Sequence, residues 1–473
     1  MKRIVILALV ISALCFDTIA QVNSVVFEED IIIVAPEEFG NMACRIELNG
    51  NGDPIVLHGK SSDNAGLYIS ILEEESFGTS ILVTPHTNIY LSESEGPRMA
   101  VSGNRVAVSY QILGEWQSGA YVVVSEDGGY TWGEPYGLAP NATVDHFMPI
   151  VSFDGVDGEG EPWVALKWGN NPVLEGIHLF NSDTDTFGSA INGSGATDGV
   201  SVCECCPSNT FWHNGTYYDV VRNNNANLRD FWLLKSDDGI TWEDAIDIDE
   251  TDWVASICPG TGASSVVLEN GTLLSAYMSA VDGSRVYWST VDLDNFSYIS
   301  YGRIDPLANS TENHPQLSAS GMYVVAAWER NNGGYDVMVS VGSSGSGGGF
   351  EIPLNATEDL SGHNRNPDVV YDGDFVHLVY KSSSDGVVHY RKGVVYNLAV
   401  DETITDKWNV LTDESRWVID GIQGEAQYSL FDIRGRIIES GNCYGTLIIE
   451  NLIGSYIVKV EQGNLVKSFK LIK

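Results

Sequence analysis

Prolines punctuate this chain at nearly even intervals, at residues 97, 149, 207, 259, 315 and 367, with spacings of 52, 58, 52, 56 and 52. Most open a unit of one design: a short strand, a Gly or Asn turn, then a second apolar strand. Pro97-Arg-Met-Ala-Val-Ser-Gly103 parallels Pro315-Gln-Leu-Ser-Ala-Ser-Gly321 and Pro367-Asp-Val-Val-Tyr-Asp-Gly373. The pattern predicts second strands over Arg105–Gln111, Tyr323–Glu329 and Phe375–Lys381, and third strands over Ala120–Ser125, Phe231–Lys235 and Asp336–Val341. Residues Cys44 to Val83 lack the proline but read the same way, which makes seven units.

A four-stranded unit of this period cannot bury both faces alone, so such units stack around an axis. The expected fold is all-β: a β-propeller of six or seven four-stranded blades, with seven favoured, followed by a small C-terminal β-sandwich. The last unit, Pro367 to about Val395, is one strand short, and the strand-like Ser24–Val34 is placed to complete it and remove an exposed edge. A proline at the first residue of each innermost strand loses no ladder hydrogen bond. Forty-nine glycines and an aromatic content of 10% suit many short strands and turns.

Residues 1–20 read as an export signal: Lys2 and Arg3, the apolar run Ile4 to Phe16, and Thr18-Ile19-Ala20 before Gln21. That run is too short to span a bilayer stably, and no other long apolar stretch argues for membrane insertion. With 25 Lys+Arg against 64 Asp+Glu and a formal charge of −39, the chain has no basic stripe for nucleic acid. The domains are therefore expected at 1–20, 21–397 and 398–473.

Two units carry similar segments between the third and fourth strands: Ser125-Glu-Asp127-Gly-Gly129-Tyr-Thr131-Trp132 and Lys235-Ser-Asp237-Asp-Gly239-Ile-Thr241-Trp242. They resemble the Asp box (BNR repeat) of sialidases and related propellers. In that reading Asp127 and Asp237 tie their own turns, Gly129 and Gly239 take positive φ, and Trp132 and Trp242 plug the gap between sheets. These residues have a folding role, on the face opposite the working one.

In an antiparallel blade, the start of strand one and the end of strand two lie at the same end. Strand starts supply Arg45, Arg98, Cys206, Cys258, His314 and Asn366; strand-two ends supply Lys60, Gln111, Lys167, Arg222, Glu329, Arg330 and Lys381. So many cations in so acidic a chain suit an anionic or heavily hydroxylated ligand, although strand ends are often simply polar. Arg229-Asp230 and Arg285 lie in or beside second-to-third-strand connections on the same side.

Segment 203–265, with Cys203-Glu-Cys-Cys-Pro207, Val221 to Asp230, Asp252-Trp253 and Cys258-Pro-Gly-Thr-Gly262, is similar to a group of bacterial sialidase-like propellers. The resemblance covers roughly residues 40–395. It implies an exo-glycosidase acting on acidic sugars, with an arginine triad, a Tyr–Glu nucleophile pair and an Asp acid/base. Arg45-Ile46-Glu47 stands where the family has Arg-Ile-Pro, and Asp63 is the acid/base candidate. Arg222, Arg229, Asp230, Glu329 and Arg330 complete the candidate set, and Tyr287, Tyr380 and Tyr390 compete for the nucleophile. The rival class is a non-catalytic propeller binding polysaccharide or protein at the same face.

The cysteines admit three readings: a disulfide from the Cys203/Cys205/Cys206 group to Cys258, a thiolate metal site joined by His314, or a catalytic thiol. No cofactor is required. Calcium is compatible with the acidic stretch Asp154 to Glu161, whose spacing matches no defined loop and whose plainer reading is a solvated turn. Beyond residue 400, Tyr428 to Gly441, Ile449 to Val460 and the ending Ser468-Phe-Lys-Leu-Ile-Lys473 resemble the C-terminal sorting domain of type IX secretion. This implies partnership with that machinery and a secreted or cell-surface location.

Overall fold

Runs rich in Val, Ile, Tyr and Trp, broken by Gly, Asn and Asp turns, form antiparallel strands along most of the chain. The computed structural model describes residues 23–472 apart from short breaks, the longest at 182–185, 193–200, 345–348, 398–408 and 451–454. The expected export signal, Asp63 and Cys258 lie outside the described residues.

One compact unit runs Ser24–Tyr396. Its described strands form seven sheets, each built around a four-strand meander. The second sheet, for example, runs Arg98–Ser102, Arg105–Gln111, Ala120–Ser125 and Tyr136–Gly137 in spatial and chain order. The innermost strands of consecutive sheets touch one another around a full circuit, the seventh (Asn364–Tyr371) returning to the first (Arg45–Leu48). Asn23–Phe27 and Ile31–Val34 both pair with Val388–Asn397, so the N-terminal segment supplies the outer strand of the seventh sheet.

The core is divided among the gaps between sheets. Each pair of neighbours encloses its own apolar cluster; Ile150, Trp163, Ile177, Val221 and Leu234 fill the gap between the third and fourth sheets. Val379, Val388 and Tyr390 meet Cys44, Ile46 and Val56 where the circuit closes.

Three prolines sit inside their strands, where the sequence pattern had placed them at strand starts. The ladder register skips from Phe147 to Ile150, from Asn313 to Gln316 and from Arg365 to Asp368. Met148-Pro149, His314-Pro315 and Asn366-Pro367 are therefore β-bulges, and the proline falls where no ladder N–H is required.

Both Ser-Asp-Gly-Thr-Trp turns close on themselves. Thr131 donates its backbone N–H to Asp127 Oδ1 (2.8 Å) and its hydroxyl to Oδ2 (2.6 Å), while Gly129 N–H donates to Ser125 Oγ (2.9 Å). Gly128 N–H donates to Asn104 O in the turn between the first and second strands, which puts this device at the end away from the bulges. Trp132 and Trp242 pack into inter-sheet clusters. The second turn corrects the expectation for Asp237: the carboxylate that accepts from Thr241 N–H (2.6 Å) and its hydroxyl (3.1 Å) is Asp238, with Ser236 as its serine partner (3.2 Å). The third strand runs one residue further here, to Ser236, so the shorter turn brings the next carboxylate into place. Asp237 instead accepts from Thr216 Oγ1 (3.1 Å) at the surface.

The C-terminal strands belong to a second unit. Asn409–Thr412, Arg416–Asp432, Ile437–Glu450, Ser455–Gln462 and Leu465–Ile472 are hydrogen-bonded to one another as a five-stranded sheet. Register shifts at Asp420/Ile422 and Ile422/Glu425 interrupt its 17-residue central strand. Ile419, Leu430, Leu447 and Val458 form its core.

Asp127→Ala should lower stability by about 1 kcal/mol, the net value of such hydrogen bonds. Asp238→Ala should act in the same direction and Asp237→Ala should be neutral, read as urea midpoints. Burial pushes the Asp127 carboxyl upward, but hydrogen bonds from Thr131 and Ser125 outweigh it and hold it below the usual range. Its contribution is therefore present at neutral pH and fades as pH falls through that depressed value.

Candidate functional site

The Xaa-Pro bulges turn the chain so that the residue before proline takes a left-handed backbone: Met148 at φ 54°, His314 at 50° and Asn366 at 51°. Left-handed backbone is uncommon for residues other than glycine, and such strain concentrates where a side chain must be aimed. His314 and Asn366 line a channel cavity of about 530 Å3 whose wall takes residues from the innermost strands of all seven sheets.

Most cations expected at this end are already engaged. Lys60 donates to Glu38 (2.7 Å), and Lys381 donates to Glu93. Glu329 accepts from Arg365 Nε and Nη2 (both 3.2 Å) and from Asn366 N–H (3.4 Å). Arg98 spends its guanidinium on the backbone oxygens of Ser94, Gly96 and Pro97. Arg45 differs: its Nε is buried without a hydrogen-bond partner, and it forms no ion pair among the described residues. The Asn366 side-chain amide is also left without a partner at both its atoms.

Three carboxyl groups share the channel with Arg45: Glu93, which is paired with Lys381, and Glu47 and Asp368. Enclosure, and then the charge of Asp368, push Glu47 up to about 8, so it carries its proton at neutral pH. Enclosure raises Asp368 as well, against the pull of Arg45; its Oδ2 accepts the Ile46 N–H (3.1 Å). Burial lowers His314, with Glu329 opposing and Arg365 and Arg45 assisting, so the imidazole is neutral at pH 7. The channel thus offers a cationic fork, a protonated carboxyl, a second carboxyl and a neutral imidazole.

Several expected site residues have other roles. Arg222 is fully buried and donates to the backbone oxygens of Arg229 (2.8 Å), Met278 (2.8 Å) and Thr261 (3.4 Å), with its guanidinium 4.0 Å from the Phe231 ring centroid. It ties sheets together and has no free fork for a ligand. Arg229 donates to Ala255 O (3.0 Å) and to Cys203 Sγ (3.2 Å), and Asp230 accepts the Trp253 N–H (3.1 Å). Burial, then the charges of Asp249 and Asp247, push Asp230 up to about 8. Glu329 reaches the channel end, but its neighbour Arg330 pairs with Asp336 (3.4 Å) beside a different cavity, because successive strand residues face opposite ways. Tyr287, Tyr380 and Tyr390 are buried between sheets, and no described tyrosine lines the channel. In the acidic stretch, Asp154 accepts from Glu161 N–H (2.6 Å) and Tyr217 OH (2.9 Å).

The cysteines divide into two states. Cys205 is disulfide-bonded, whereas Cys44, Cys203, Cys206 and Cys443 are free. Cys203 Sγ lies 3.4 Å from Cys206 Sγ and 3.5 Å from Cys205 Sγ. Among the described residues these three sulfurs form the only compact group of metal-ligand atoms, and His314 stands instead beside Glu329 (3.8 Å).

Sequence reasoning missed Glu47, Glu93, Arg365 and Asp368. A signal for two of them existed: Arg45 and Glu47, like Asn366 and Asp368, are two apart on innermost strands and so share a face.

No protein-family model matches the chain, and no curated protein matches it. Solved structures do. A polysaccharide lyase, Uly1, superposes with a TM-score of 0.51 at 12% identity, over 79% of this chain and 100% of that one. A Penicillium chrysogenum α-L-arabinanase matches with a TM-score of 0.42 at 11% identity, over 80% and 98% of the two chains. A Trypanosoma rangeli sialidase matches with a TM-score of 0.44 at 9% identity, over 95% and 89%. At these identities the likeness is one of fold alone, and the lyase carries it.

Because Arg222 spends its donors on backbone oxygens, Arg222→Lys should cost stability rather than ligand affinity. A lysine cannot reproduce the fork, and losing one charged hydrogen bond costs about 1.5–3 kcal/mol. The expected readout is a lowered melting temperature with unchanged binding in the folded fraction.

Proposed function

We propose that this chain is a secreted seven-bladed propeller with Asp-box turns that engages an acidic saccharide in its channel through Arg45. The observation that carries the reading is the buried, unpartnered Arg45 nitrogen, which shares the cavity with the unpartnered amide of Asn366 while Glu93 there is paired with Lys381. A buried donor without an acceptor is costly, and a sugar carboxylate supplies two acceptors in the geometry of a guanidinium fork. The volume, about 530 Å3, falls within the ~300–1,000 Å3 of small-ligand sites. The fold shared with a polysaccharide lyase agrees with a glycan ligand.

Glu47 and Asp368 favour a second reading, in which the same site also cleaves. A carboxyl held protonated at neutral pH is a general acid in waiting, and a nearby carboxylate can act as base or nucleophile. The Tyr–Glu pair of sialidases has no counterpart on the described channel wall, so this chemistry would rest on the two carboxyl groups. The C-terminal sheet is read as the type IX sorting domain on its sequence resemblance.

Titration calorimetry with uronate oligosaccharides and sialyllactose tests the first reading. Arg45→Lys should weaken binding of the acidic sugar about tenfold or more, from ~1.5–3 kcal/mol for a charged hydrogen bond, while Arg330→Ala leaves it unchanged. Equal affinity in Arg45→Lys would move the site elsewhere. Reducing-end release that disappears in Glu47→Gln with affinity retained would establish cleavage; no release by the wild type, with Arg45-dependent binding, would establish a binder.

Deleting residues 400–473 should leave a folded propeller held in the periplasm. Normal extracellular amounts of the truncated protein would overturn the sorting assignment.

A further inference from the structure

A second cavity, of about 270 Å3, shares no lining residue with the channel. The third bulge serves it: Met148, held at φ 54°, lines this wall, whereas His314 and Asn366 of the other two bulges line the channel. Backbone bonds between distant segments fix the remaining walls. Tyr90 N–H donates to Gln111 O (2.7 Å), and His146 N–H donates to Trp116 O (2.6 Å). The rings of Tyr90 and Trp116 meet edge to face, with centroids 5.3 Å apart and planes at 76°, and Phe147 adds a third ring.

The polar groups of this cavity are acceptors. Glu95, Asp145 and Glu204 line it, and no described Lys, Arg or His does. Among the described residues none of the three carboxyl groups is in an ion pair. Glu95 accepts from Tyr90 OH (3.1 Å) and Glu204 from Asn224 Nδ2 (3.0 Å), and both donors are neutral. Arg98 feels the charge of Glu95, but its guanidinium is turned to backbone oxygens. Gln111, only 3% exposed, donates from Nε2 to Glu115 O (3.1 Å), so the amide atom left without a partner is the acceptor Oε1. We propose that this cavity binds the primary ammonium group of a small organic amine, seated against the aromatic rings with its N–H groups directed to Gln111 Oε1 and the carboxylates.

Each part of the wall selects for that group. A cation is attracted to the face of an indole or phenol ring, and the attraction grows as water is excluded. A buried amide oxygen without a donor is costly, and an ammonium N–H satisfies it with a charge-assisted hydrogen bond. The carboxylates do not converge as metal ligands do: among the described residues only the cysteine sulfurs are gathered that closely. The negative charge is instead spread around an aromatic cavity of organic size, just under the ~300–1,000 Å3 usual for ligand pockets. A uronate, the ligand class that suits Arg45, would be repelled here, so the two sites stand or fall separately.

The test is titration calorimetry of the full chain at about pH 6 with glucosamine and with cadaverine, an amino sugar and an alkyl amine. N-acetylglucosamine and 1,5-pentanediol are the matching uncharged probes. At least one amine should bind saturably, at about one equivalent, while its uncharged counterpart does not; the tighter amine assigns the source of the group. Trp116→Ala should weaken that binding about fivefold or more, and Asp145→Asn about threefold, with urea midpoints read alongside. Glu75→Gln removes an exposed carboxylate that lines neither cavity and should change nothing, which separates this site from the general attraction of an acidic chain for cations. No saturable binding of either amine, or equal affinity in Trp116→Ala and Asp145→Asn, would overturn the proposal. Where Trp116→Ala lowers stability, the near-isosteric Asp145→Asn decides it.

Discussion

Every sheet in the first unit is apolar on both faces and can bury them only against its neighbours, so the structure depends on closing the circuit. Two features achieve this. Asn23–Phe27 adds the outer strand that the seventh sheet lacks, and Val379, Val388 and Tyr390 pack on Cys44, Ile46 and Val56 of the first. A ring built this way has no sheet face left without a partner, and it brings all seven innermost strands to one channel. The candidate sugar site is a by-product of that closure: no single sheet contains it, and Arg45, Arg98, His314 and Asp368 come from four of them.

The bulges convert that scaffold into a site. A regular strand start would send the side chain before proline along the pleat. The skipped register at His314-Pro315 and Asn366-Pro367 instead forces positive φ and delivers the imidazole and amide to the channel. The strain persists because the ladder on either side and the inter-sheet clusters over-determine the backbone. At the opposite end, the Thr131–Asp127 and Thr241–Asp238 bonds hold turns rigid without facing the channel, and this separates stability from recognition.

Charge is handled by pairing rather than by excess. The chain carries −39 overall, yet near the channel Glu329 and Glu93 are matched to Arg365 and Lys381, and Glu47 is kept neutral by enclosure. What remains is one unmatched guanidinium, a more selective feature than a general cationic ring. The thiol group follows the same logic, since Arg229 and Lys167 serve one buried sulfur and its backbone rather than a ligand.

By itself the sequence determined the strand pattern. A period near 52 residues, set by proline and glycine turns, reflects local backbone chemistry, which is why Ala120–Ser125 and Arg105–Gln111 occur where expected and why the missing outer strand was traceable to the N-terminus. It also marked Arg45, His314 and Asn366 as residues of one end. Tertiary structure alone decided which of the polar residues are free. Arg222, Arg330 and Lys167 look the same as Arg45 in sequence, but one is spent on three carbonyl oxygens, one faces the other side of its strand and one is buried on the backbone oxygens of two cysteines. Hydrogen-bond partners come from positions tens to hundreds of residues away, as with Lys381 and Glu93 or Ile46 and Asp368, and no local pattern encodes them. The choice of Asp238 over Asp237 turned on one residue of strand length, a quantity settled by pairing with Thr216–Arg222 rather than by the motif.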